Sequence, residues 1–216
     1  MRGPLLLVIS LVLAPAAASA APAVTCHCFR NRSYDPSAPS AADGYILATT
    51  RSSLLSAVFG VPKSALVRAA MSGTSPEDLW IAHWAAPRTG RSASWLLGAL
   101  AETGSWRAAL AGATGLPPDF QEALGRGVPS ELASIAVDEV LQTRLGIGAQ
   151  SLRELRLAGA SSEEVVVAAF LSTRLPDSAT EVLGRYKGGR ATWGKLFHDA
   201  GLAPEGIDAA MRTTVR

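Results

Sequence analysis

Gly73-Thr74-Ser75-Pro76-Glu77-Asp78-Leu79-Trp80-Ile81-Ala82-His83-Trp84 returns 86 residues later as Gly159-Ala160-Ser161-Ser162-Glu163-Glu164-Val165-Val166-Val167-Ala168-Ala169-Phe170. The same separation joins Gly60 to Gly146, Leu66 to Leu152 and Ala82 to Ala168. In each copy a glycine and a serine precede an acidic pair and an apolar run. A serine with a carboxylate three residues on can exchange bonds with the backbone of a helix start, the logic of a capping box. Pro76 suits the first helical turn, where its missing N–H has no helical partner to lose. Trp80 and Trp84 are spaced i, i+4 and share one face of that helix, as do Val166 and Phe170. The pattern predicts an all-α fold of two tandem pseudo-symmetric multi-helix repeats, period 86, behind an irregular N-terminal arm.

The same punctuation runs outward in both directions. Asp43 is the expected N-cap of a helix reaching about Phe59, with Leu47, Leu54, Leu55, Val58 and Phe59 inward. Gly60 ends it, and Pro62 opens a second helix over 63–72. Ser92-Ala93-Ser94-Trp95 pairs with Ser178-Ala179-Thr180-Glu181, and short helices follow at Trp106 and Trp193. The second repeat opens over Pro129–Leu145, with Val137, Val140, Leu141 and Leu145 inward. The expected division is a signal peptide at 1–20, a cysteine-containing arm at 21–42, repeat one at 43–124, a hinge at 125–128 and repeat two at 129–216.

Arg2, the apolar run Leu5 to Leu13 and the small-x-small stretch Ala18-Ser19-Ala20 are the three parts of a secretory signal. The run is too short to span a bilayer, which needs about 20 residues. The expectation is cleavage near Ala20, a periplasmic or secreted protein, and no transmembrane segment in the mature chain. A net charge of +2 with no lysine or arginine run gives nucleic acid nothing to hold. Two cysteines in 216 residues do not make a disulfide scaffold.

The second repeat also carries Val182-Leu183-Gly184-Arg185-Tyr186-Lys187-Gly188, then Trp193-Gly194-Lys195-Leu196 and Gly201-Leu202. This rhythm resembles a helical module of uncharacterised exported bacterial proteins, over most of 137–211 and more loosely over 50–124. The first copy departs from it at Arg107, where the second has Gly194. The resemblance implies an exported helical protein and brings no activity with it.

The duplication separates scaffold from chemistry. Glu77/Glu163 and Asp78/Glu164 occur in both copies and serve helix starts, whose dipoles favour negative charge. Gly189 to Lys195 fits G-x-x-x-x-G-K, but Leu196 stands where a Mg²⁺-binding hydroxyl is needed, and a helix precedes it. Leu55 to Ala70 has helix-turn-helix spacing with Lys63 and Arg68 as its only cations, too few for a reading helix. His83 and His198 are not duplicated, and neither has a serine or cysteine in triad rhythm beside it.

Cys26-His27-Cys28 is the sharpest motif. Two thiolates and an imidazole within three residues could hold Cu(I) or Zn²⁺. Outside the cytoplasm the thiols could instead pair, locally or as a disulfide-linked dimer. The leading expectation is a non-catalytic helical interaction or scaffold protein of the cell envelope, without cofactor, binding another protein. Trp95, Trp80 and Trp84 form its candidate partner surface. Trp95 aligns with Glu181 and is the better surface residue, whereas Trp106 and Trp193 are kept in both copies and belong to the core. The rival is a thiol-redox or soft-metal protein acting through Cys26, His27 and Cys28. A cell-wall hydrolase would need an unduplicated acid such as Glu102 or Glu122 in a cleft.

Overall fold

The computed structural model describes residues 29–215. Among them the regular structure is helical. The first half holds α1 (Asp43–Phe59), α2 (Lys63–Met71), α3 (Pro76–Thr89), α4 (Ala93–Thr103), α5 (Trp106–Ala109) and α6 (Pro118–Arg126). The second holds α7 (Pro129–Leu145), α8 (Ala149–Leu157), α9 (Ser162–Ser172), α10 (Ala179–Lys187), α11 (Trp193–Asp199), a 3₁₀ turn at Pro204–Gly206 and α12 (Ile207–Thr214). The starts of α1 to α4 recur 86 residues on as those of α7 to α10. Lengths diverge afterwards, since α3 runs to Thr89 through Pro87 while α9 stops at Ser172.

Helix starts follow the serines. Ser75 Oγ accepts the amide of Asp78 at 3.0 Å. Ser161 and Ser178 form full capping boxes with Glu164 and Glu181. The Glu181 carboxyl is held below its ordinary value by the backbone and hydroxyl bonds of Ser178. Asp43 departs from expectation: Ala42 occupies the cap without a side-chain bond, and Asp43 is the first helical residue. Its Oδ1 instead accepts the amide of Gly194 at 2.9 Å, so it caps α11 across the molecule. Burial pushes its carboxyl up, against that backbone bond.

The halves share one core. α1 packs on α9 and α12, and α3 on α7, so the first half is completed by helices of the second. Leu54, Leu55, Trp84, Val137, Leu141, Val166 and Phe170 are fully buried there. Leu47, Val58, Phe59 and Leu145 are only half-buried at its margin. Of the segment expected as a hinge, 125–128, the first two residues continue α6, and Gly127 and Val128 are the link to α7. No helix among the described residues is long and apolar enough to cross a membrane.

Residues 29–42 carry no helix or strand and lie along the second half. Thr192 Oγ1 donates to the carbonyl of Pro39 at 2.8 Å, and the Tyr34 ring lies 5.4 Å from that of His198. Gly194 lets the arm approach α11 closely. A Cβ would lie 3.3 Å from the Pro39 oxygen and 3.4 Å from the Tyr34 ring.

Candidate functional site

A cleft opens between α2 and α4, floored by α3 and walled by α7. Its volume is about 780 Å³, within the range of small-molecule sites. Val58, Phe59 and Val61 at the end of α1, Ala65 and Ala69 on α2, and Leu97 on α4 make one side apolar. Arg88 from α3, with Glu139, Thr143 and Arg144 from α7, makes the other polar. Ser92, Ala93 and Ser94 bring the N-terminus of α4 to the edge.

The matching place in the second half holds a smaller cleft. There the cleft between α8 and α10 measures about 180 Å³, and α8 packs directly on α10. Leu155 stands 86 residues after Ala69, and Thr180 and Leu183 stand that far after Ser94 and Leu97. Leu155 is fully buried. A leucine thus lines the smaller cleft where the larger one has a methyl group.

His83 and Trp84 lie at the bottom of the open cleft. His83 stacks on Phe59, with ring centroids 6.1 Å apart, and makes no hydrogen bond among the described residues. Burial pushes its imidazole below the usual histidine value, so it is neutral at pH 7. Ala169 is its counterpart, so no histidine stands there in the second half. Trp84 is fully buried, with Phe120 stacked at 4.5 Å and the Arg88 guanidinium 3.9 Å over its ring. Its indole N–H meets no acceptor. Arg88 is itself paired with Glu139 of α7.

Trp80 and Trp84 therefore do not form a partner surface. Both are buried, with the Trp80 ring packed on Phe59 of α1 and the Trp84 ring on Phe120 of α6. A spacing of four identifies a common face without saying which way it points. Trp95 is 48 % exposed, with the Arg91 guanidinium stacked 3.9 Å from its ring. Trp106 and Trp193 are buried. Cys26, His27 and Cys28 lie outside the described residues. Among those described, no group of three histidine, cysteine or acidic side chains could hold a metal.

The duplicated carboxylates have structural partners. Asp78 accepts the indole N–H of Trp106 at 2.7 Å, and Glu164 pairs with Lys187 at 2.8 Å. Glu122 is ion-paired with Arg126 on the surface, and Glu102 is exposed. One grouping has the composition of a nucleophile and base: Lys63 Nζ lies 3.0 Å from Ser53 Oγ. Lys63 also donates to Thr49 Oγ1 and Asp208 Oδ1, both at 2.7 Å, which commits its three N–H bonds. An ammonium so held cannot accept the serine proton. Burial raises the Asp208 carboxyl, but the bonds from Lys63 and Ser53 outweigh this and hold it below its ordinary value. The grouping ties α1, α2 and α12 together.

Compared with known protein families, curated proteins and solved structures, the chain matches none. The cleft was not legible in the sequence as a site. Its one signal was the unequal pair Ala69 and Leu155 in otherwise matched helices.

Proposed function

We propose that this chain is an exported, non-catalytic binding protein of the bacterial cell envelope, and that it holds a ligand in the cleft between α2 and α4. The supporting observation is the contrast between clefts of about 780 and 180 Å³ at matched places in the two halves. If both halves are copies of one unit, as the recurring helix starts favour, the open cleft is a departure from the scaffold. Binding is favoured over catalysis because the cleft's neutral imidazole touches no nucleophile. Export rests on residues 1–20.

The test is saturable uptake of a neutral apolar dye, N-phenyl-1-naphthylamine, whose fluorescence rises on leaving water. The full chain should take up one dye per molecule, and Ala69→Leu should abolish uptake while melting as cooperatively as the parent. Equal uptake by the variant, or none by either, would overturn the reading.

A second reading keeps Cys26-His27-Cys28 as a redox pair, a Cu(I) or Zn²⁺ site, or the link of a disulfide dimer. Its support is the sequence spacing alone, two cysteines flanking one histidine. Thiol titration with and without reductant, and metal analysis of anaerobically prepared protein, test it. Two free, unreactive thiols and no metal would remove it.

A further inference from the structure

We infer that the α2–α4 cleft takes an uncharged, largely apolar alcohol or phenol, whose hydroxyl group is read by His83 and by the backbone carbonyl that Pro87 leaves open. The inference rests on the binding role proposed above and adds the chemistry of the occupant.

The floor of the cleft carries it. Leu79, His83, Ala86 and Pro87 form one stripe of α3 at helical spacing, and all four line the cleft. His83 is half-buried, unlike the sealed Trp84 beside it, and its neutral ring has no hydrogen-bond partner among the described residues. One of its ring nitrogens is a donor and the other an acceptor. Pro87 stands inside α3 and has no amide, so the carbonyl of His83, four residues back, lacks its helical donor. The side chains of Arg88 and Thr89 bond the next three carbonyls, those of Trp84, Ala85 and Ala86. The carbonyl of His83 receives no side-chain bond among the described residues. A donor and an acceptor thus stand on one residue, and a hydroxyl group answers both. The second half keeps neither. Ala169 stands in place of His83, and α9 ends at Ser172, before Thr173 at the place of Pro87.

The ionic groups of the lining are already committed. Arg88 is paired with Glu139, and Arg144 has an interaction of its own. A charged head would lose water there with no spare counter-charge to receive it. Val58, Phe59, Ala65 and Ala69 suit a hydrocarbon body.

The experiment compares n-octanol, its isomer heptyl methyl ether, octanoate and octylammonium. Each displaces N-phenyl-1-naphthylamine from the full chain at neutral pH. Octanol should bind about tenfold more tightly than the ether, which cannot donate, and more tightly than either ion. Pro87→Ala returns an amide to the His83 carbonyl and should weaken octanol about threefold, leaving the ether unchanged. His83→Phe keeps an aromatic ring and should bring octanol close to the ether. A merely structural role for either residue would move both probes alike. Equal affinity for octanol and the ether, tighter binding of either ion, or an equal response of both probes to Pro87→Ala would overturn the hydroxyl assignment while leaving a binding cleft. Displacement by none of them, with dye uptake unchanged in Ala69→Leu, would overturn the cleft itself.

Discussion

Arg51 on α1 is buried, and its guanidinium is bonded to the carboxylate of Glu163 in the first turn of α9. The position 86 residues on is Val137, fully buried and apolar. A charge thus stands where the second half has a hydrocarbon, and its partner comes from the opposite half.

Removing only the carboxylate should be costly, because the guanidinium cannot recover its water. Glu163→Ala is expected to destabilise by about 2 kcal/mol, below the usual 3–5 because Glu163 remains partly exposed. Adding Arg51→Val should restore part of that loss. Urea denaturation of both variants measures the difference, and a double variant weaker than the single one would contradict this account.

The tryptophans should separate cleanly by stability. Trp80→Ala removes a buried side chain packed edge-on against Phe59 and is expected to cost about 3–5 kcal/mol. Trp95→Ala removes an exposed ring and should stay within about 0.5 kcal/mol of the parent. Thermal melts of the two are sufficient.

Gly194→Arg supplies the residue type that Arg107 provides in the first half. Its side chain would displace Pro39 and Tyr34 from α11. Limited proteolysis should then cut within residues 29–42 of the variant much faster than in the parent, with α-helical content little changed. Resistance equal to the parent's would show that the arm is held by other contacts.

His83 has its imidazole pushed below 6.5 by burial. As the pH falls through that value, the unfolded chain takes up a proton that the folded one refuses. Stability is therefore full above about pH 6.5 and declines on the acid side, until the folded group titrates as well. His83→Phe should flatten the stability profile between about pH 7 and pH 5. An unchanged slope would mean that other groups govern it.

Much of the fold could be read from punctuation. Ser75, Ser161 and Ser178 begin helices because a hydroxyl three residues ahead of an amide is a local device, needing nothing from the rest of the chain. Local reasoning failed where a partner arrives from far away. Asp43 looks like a cap for its own helix and serves α11 instead. Arg51 looks out of place until Glu163 is beside it. The cleft escaped for a related reason: Ala69 is an ordinary helical residue, and its meaning lies in the volume it leaves against α4.

The seating of the first helix by α9, α11 and α12 has a consequence for biogenesis. A chain whose opening helix waits for its closing ones cannot lock until nearly all of it has been made, since contacts so distant in sequence form late. If the route is export, this lateness is useful: the polypeptide stays threadable while it passes through a translocation channel and sets on the far side.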